Sequence, residues 1–232
     1  MQKKRNEIFK KIERACLDSG RDPNEVKLLA VSKKQSLWKL KEMFALGQRS
    51  FGENYVQELL QKQESLSDLA IEWHLIGPLQ SNKVSKVVGK VRLIHSVSNI
   101  KLVKQIANKA KEQNITQDIL LQINTSGEIS KSGVSLESSS EFIREALMYP
   151  HIKVQGLMTM PPFTDDGEDS RPHFNILRKL RDDFRDSGIE ELSMGTTQDF
   201  EIAIQEGATI IRIGEALFGP REAPLENIET EF

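Results

Sequence analysis

Cysteine is almost missing from this chain: Cys16 is the only one in 232 residues. That excludes an intrachain disulfide and any zinc site built on several thiolates. Long apolar runs are missing too, since no stretch approaches the ~20 residues that span a bilayer. The opening MQKKRNEIFKKIERA is basic but has no apolar segment, so it is not a secretory signal. The expected address is cytoplasmic, and the sequons at Asn114 and Asn124 read as accidental. A basic excess is also lacking. The 32 Lys and Arg face 34 Asp and Glu, a formal net charge of −2, which argues against a general nucleic-acid binder. His74, His95, His151 and His173 include no pair at i, i+4, so no metal site is expected.

What is present is a globular composition, 38% apolar and 28% charged. Eight short apolar runs recur: KLLAV (27–31), RSFG (49–52), IEWHLI (71–76), VRLIHSV (91–97), DILLQIN (118–124), KVQGLMTM (153–160), ELSMG (191–195) and TIIRIG (209–214). Their length and branching favour buried strands. Amphipathic stretches lie between them, with helix-spaced sets such as Leu37, Leu40 and Phe44, or Leu102, Ile106 and Ala110. Ile8, Ile12, Ala15 and Cys16 mark a further helix ahead of the first strand. Strand–helix alternation of this kind means parallel strands with covering helices, and eight units match an α/β (β/α)8 TIM barrel. An open doubly wound sheet would want a glycine-rich first turn, and Ser-Lys-Lys-Gln-Ser stands there instead. No linker divides the chain. We therefore expect one domain over 1–232: an N-terminal helix and lead-in (1–26), the barrel (27–221) and an acidic tail (222–232).

In such a barrel the chemistry sits at the C-terminal ends of the strands. Alternation puts Leu29, Val31 and Lys33 on one side of the first strand. If that side faces inward, Lys33 caps the interior. Apolar walls would lower its pKa and free its amine for attack on an aldehyde. The ends of the seventh and eighth strands, Ser193-Met194-Gly195-Thr196-Thr197 and Arg212-Ile213-Gly214-Glu215, stand where many barrels bind phosphate. Thr197 also suits the cap of a helix over 198–206. Arg212 is placed near the pocket floor and needs a polar partner there. Lys83, Lys86 and Lys90 fall at the spacing of one helix face, with Arg92 beyond, and read as a solvated face. The segment TDDGEDSRP (164–172) reads as a surface loop.

A reactive lysine, a phosphate cradle and a buried polar anchor describe a pyridoxal 5′-phosphate (PLP) site. The chain resembles the pyridoxal phosphate homeostasis family, whose barrel is like the N-terminal domain of alanine racemase. The resemblance is carried by AVSK (30–33), FGENYVQE (51–58), WHLIGPLQSNK (73–83), IHSV (94–97), QINTSGEISKSG (122–133), GLMTM (156–160), SMGTTQDFEIAI (193–204) and RIGEALFG (212–219). It implies a Schiff base between PLP and Lys33, Asn54 near the cofactor ring, and Met158 lining the pocket. It also implies Arg212 facing the pyridine nitrogen, and Thr196, Thr197, Gly214 and Glu215 around the phosphate. Two positions depart from the family pattern. Thr196-Thr197 stands for its Met-Ser, and Glu215 for a small hydroxyl residue, which restricts the Glu215 contact to its backbone N–H.

A cationic Arg212 disfavours protonation of the ring nitrogen, which makes the cofactor a weak electron sink. Racemisation would want a second base opposite Lys33. The related racemases take theirs from a second domain, and neither Tyr55 nor Tyr149 stands in an obvious place to serve. The expected role is a monomeric PLP carrier that serves vitamin B6 and amino-acid homeostasis, with PLP-dependent apo-enzymes as candidate recipients. An amino-acid racemase, or a barrel phosphate-ester enzyme without PLP, are the alternatives.

Overall fold

Branched and leucine-rich runs become strands here because helices bury their outer faces and the neighbouring strands bury their inner ones. In the computed structural model, which describes residues 1–128 and 131–220, the strands are β1 (Lys27–Val31), β2 (Ser50–Glu53), β3 (Glu72–Leu75), β4 (Leu93–Val97), β5 (Gln117–Asn124), β6 (Val134–Ser135), β7 (Ile152–Met158), β8 (Glu191–Ser193) and β9 (Ile210–Ile213). Every pairing is parallel. β1 bonds to both β2 and β9, and β4 bonds to β5, so eight strands close into a ring. The two-residue β6 lies outside the ring, beside the end of β5. It follows Gly133, whose φ of +124° suits glycine, and where a Cβ would sit 2.6 Å from the Asn124 nitrogen.

Strand alternation sorts the core into two layers. Leu29, Ile76, Leu93, Leu120, Met158 and Ile210 fill the inside of the ring, with Val31 packed against them. Leu28, Ala30, Phe51, Trp73, Leu75, Ile94, Ile119, Leu121, Ile211 and Ile213 point outward into the layer beneath the helices.

That outer layer is covered by α2 (Leu37–Ala45), α3 (Val56–Ser65), α4 (Val84–Val87), α5 (Ile100–Glu112), α6 (Leu136–Leu147), α7 (Arg171–Asp182), α8 (Phe200–Gln205) and α9 (Glu215–Phe218). The start of α5 shows the local logic. Asn99 precedes it in an extended conformation and its side chain accepts the Leu102 N–H at 2.9 Å, which satisfies one of the helix's open donors. The extra helix α1 (Gln2–Asp18) buries Ile8, Ile12, Ala15 and Cys16 and packs against α8 and α9. Arg21 fastens its exit by donating to the carbonyls of Ile204 and Ala208 at 2.7 and 2.9 Å.

Four expectations need correction. The lysines at 83, 86 and 90 do not share a helix face. Lys83 ends a 3-10 turn, α4 is one turn long, and Lys90 lies beyond Gly89, whose φ is +79°. Leu37 is 38% exposed, so Leu40 and Met43 carry the buried face of α2. The segment 164–172 is not a plain loop. The Asp166 carboxylate accepts the Glu168 N–H, a 3-10 turn runs over Gly167–Ser170, and α7 begins at Arg171. Arg171 then pairs with Glu168 and Glu206. Finally, Thr197 is not the cap of α8, because Asp199 holds the N-cap position. The acidic tail lies outside the described residues. Among the described residues, no helix is long and apolar enough to cross a membrane.

Candidate functional site

A cavity of ≈ 580 Å³ opens at the C-terminal ends of β1, β2, β8 and β9, within the ~300–1,000 Å³ typical of small-molecule sites. Lys33, Asn54, Thr196, Thr197, Arg212, Gly214 and Glu215 all line it. Met158 does not. It is 1% exposed, in the inner layer of the ring, and the cavity wall carries Met160 instead. β7 ends at Met158, so a residue two further along the same face reaches the mouth.

Lys33 stands on the inward face, past Leu29 and Val31. Both of its neighbours are clamped from outside the ring. The Lys62 ammonium donates to the Ser32 carbonyl at 2.6 Å, to Glu53 Oε1 at 2.7 Å and to Glu58 Oε1 at 2.7 Å. The Ser32 hydroxyl donates to Glu53 Oε1 at 2.7 Å, and the Lys34 N–H donates to Glu58 Oε1 at 2.6 Å. Lys34 itself is left-handed, with φ at +55°. Glu53 and Ser32 are fully buried and Lys62 is 5% exposed. Burial pushes the Glu53 carboxyl above its ordinary range, against the pull of Lys62. The strand end carrying Lys33 is therefore held on both sides by charge-assisted hydrogen bonds.

Asn54 follows β2, and its Oδ1 is buried without a hydrogen-bond partner. Its backbone is wedged by Gly77, where a Cβ would lie 2.2 Å from the Asn54 carbonyl oxygen. On the opposite wall Thr196 is already committed. Its N–H and hydroxyl donate to Asp199 Oδ1 at 2.7 and 3.1 Å. Thr197 and Glu215 are exposed to the cavity, and Gly214 and Ala216 complete that wall.

Arg212 forms the floor. It is 4% exposed, donating from one terminal nitrogen to Ser193 Oγ at 2.7 Å and from the other to the Thr159 carbonyl at 3.0 Å. Both partners are neutral. Burial lowers its pKa to about 10, opposed by the Asp199 charge, so it remains a cation at neutral pH.

With this geometry in hand, comparison with known proteins becomes specific. Residues 18–222 match the family described as alanine racemase, N-terminal domain. The chain is 45% identical over 218 residues to the pyridoxal phosphate homeostasis protein of Aquifex aeolicus, covering 93% of this chain and 96% of that protein. The chain belongs to the pyridoxal phosphate homeostasis family. The structure of the PipY protein of Synechococcus elongatus PCC7942 with PLP bound superposes at a TM-score of 0.79 with 33% identity, over 90% of this chain and 100% of that one. Alanine racemase of Clostridium difficile 630, at 14% identity and a TM-score of 0.72 over 93% of this chain and 56% of that one, shares the barrel fold.

Sequence reasoning did not reach several features of this homeostasis-family cavity. Met160 and Phe163 are 52% and 75% exposed at its rim, and Ile76 and Gln198 complete the lining. The signal for the rim was available in Met160-Pro161-Pro162-Phe163, apolar residues directly after a strand end where prolines forbid a continued ladder.

Proposed function

We propose that this chain holds PLP reversibly as a Schiff base on Lys33. It serves cellular PLP and amino-acid balance and hands PLP to PLP-dependent apo-enzymes, without sustained catalysis of its own. Bound PLP supplies an aldehyde that condenses with an amine, releasing water, and a ring that can draw electrons. The residues present fit that group. Lys33 brings an amine to the cavity, and the Thr197 hydroxyl and the Gly214–Ala216 wall offer room and donors for a phosphate. The unpartnered Asn54 Oδ1 is an acceptor left for a donor on the ligand.

Arg212 argues against transamination and decarboxylation and leaves racemisation open, so the non-catalytic part is carried by the lack of a tyrosine opposite Lys33. A cation on the cavity floor, held by a hydroxyl and a carbonyl rather than a contacting carboxylate, keeps a ring nitrogen beside it unprotonated. A carboxylate there would do the reverse. Neither Tyr55 nor Tyr149 lines the cavity, so no tyrosine is placed to act as a base opposite Lys33.

Titration of the protein with PLP, followed by absorbance, tests the reading. The unmodified protein gains a yellow chromophore, Lys33→Ala does not, and neither interconverts the enantiomers of alanine or serine. A chromophore undiminished in Lys33→Ala overturns the site, and sustained racemisation by the unmodified protein overturns the carrier role.

A further inference from the structure

The inside of the barrel holds a buried polar chain that the cavity alone does not require. Arg212 donates to Ser193 Oγ at 2.7 Å, Ser193 Oγ lies 2.9 Å from His95 Nδ1, and His95 Nε2 lies 2.9 Å from His74 Nδ1. Ser193 and His95 are fully buried and His74 is 7% exposed. The far end reaches a second cavity of ≈ 260 Å³ at the opposite mouth of the ring, lined by His74 with Lys27, Glu72, Arg92, Asp118 and Glu191. In a barrel interior whose apolar core is Leu29, Ile76, Leu93, Leu120, Met158 and Ile210, four linked polar side chains need a reason.

The direction of the chain follows from one fact: a guanidinium has donors and no acceptor. Ser193 Oγ must accept from Arg212, so its single proton is left to donate onward, to His95 Nδ1. His95 then carries its proton on Nε2 and donates to His74 Nδ1, and His74 carries its proton on Nε2, at the end of the chain that borders the mixed-charge mouth. The reversed order would strand the buried serine proton, an unmade hydrogen bond costing about 1–3 kcal/mol. Burial also holds both imidazoles neutral, with His74 pushed down to about 3 and His95 well below its ordinary value.

We propose that Ser193 and His95 are positioning residues for Arg212: with His74 they form a one-directional hydrogen-bond chain of neutral groups. The chain fixes the plane of the guanidinium without a hydrogen-bonded carboxylate, so Asp199 opposes its positive charge only from a distance. A carboxylate in place of Ser193 would hold the arginine equally well but neutralise it. A serine whose lone pair is oriented by a neutral histidine holds it and leaves the charge available. The value of that charge to PLP rests on the reading given above, whereas the direction of the chain does not.

Two measurements test this. In ligand-free protein with ¹⁵N-labelled histidine, long-range ¹H–¹⁵N spectra should show His74 and His95 neutral and protonated on Nε2 only. Protonation of His95 on Nδ1 overturns the direction. In Ser193→Ala, the Arg212 guanidinium protons should exchange with solvent at least about tenfold faster and PLP affinity should fall by about tenfold, as for a lost hydrogen bond to a charged group. Exchange and affinity both unchanged overturn the positioning role. If the unmodified protein takes up no PLP, the reading of function fails, while the tautomers and guanidinium exchange still decide the chain.

Discussion

Lys62 is the residue on which the setting of Lys33 depends. Its ammonium ties the Ser32 carbonyl to two carboxylates, and one of these, Glu58, holds the Lys34 N–H. Lys62→Met would leave Glu53 buried with neither oxygen compensated by charge. Breaking a buried pair from one side costs about 3–5 kcal/mol, and protonation of Glu53 keeps the loss near the lower figure. Urea denaturation should show a loss of about 3 kcal/mol, with slower reaction of Lys33 toward an aldehyde. A variant as stable and as reactive as the unmodified protein would dismiss the clamp. Glu215 acts in the opposite sense. Its exposed carboxylate lines the cavity where a phosphate would lie, so Glu215→Ser should tighten PLP binding about two- to threefold at low ionic strength, with the gain fading in salt. Equal affinities by absorbance titration would show that the side chain turns away. At this scale strand alternation made Lys33 legible, because the period of two is strict inside a strand. It failed at Met158, where the end of the strand, not its period, decides which methionine reaches the cavity. The engagement of Thr196 with Asp199 was not legible for another reason. Its donors are spent on Asp199, a contact made within a tight turn that composition does not show.

At the scale of elements, the histidines of β3 and β4 make stability depend on pH. In the unfolded chain both take a proton below about pH 6.5, whereas in the fold His74 resists protonation down to about 3, through burial first and then the charges of Arg92 and Lys27. His95 is shifted the same way by burial, His74 and Arg212. The unfolded state binds more protons in that interval, so stability falls as the pH drops from 6.5 toward 3. His74 alone should cost about 2 kcal/mol at pH 5, and His95 adds to it. Urea midpoints at pH 7.5 and pH 5 should differ accordingly, and His74→Gln should reduce the difference. Identical midpoints would mean that the imidazoles are solvated. The eight barrel strands were legible because buried parallel strands are continuous apolar runs. α6 was not, since its buried face includes Ser139 beside Phe142, Ile143 and Ala146, which blurs the apolar period. α4 was overread, because lysine spacing says nothing about the Gly89 turn that ends the helical run.

At the scale of the whole molecule, closure of the ring gives two mouths with different chemistry. The N-terminal mouth is ringed by charges that already answer one another, as Lys27 does Glu191 and Arg92 does Asp118. The C-terminal mouth gathers Lys33, Asn54, Thr197, Gly214 and Arg212 from four strand ends that lie far apart in sequence. Their meeting follows from the β1–β9 pairing, which sets Leu29 beside Arg212 in register and so brings the first and last strands' functional ends together. The order of runs implied that closure. The neutral setting of Arg212 was not implied, because it needs Ser193, His95 and His74 from three different strands. The most direct test of the central claim is borohydride reduction of the PLP-loaded protein followed by peptide mass mapping. A single reduced adduct on Lys33 is expected. An adduct on Lys34 would contradict the inward face assigned to β1, and a protein that stays colourless with added PLP and yields no adduct would contradict the function itself.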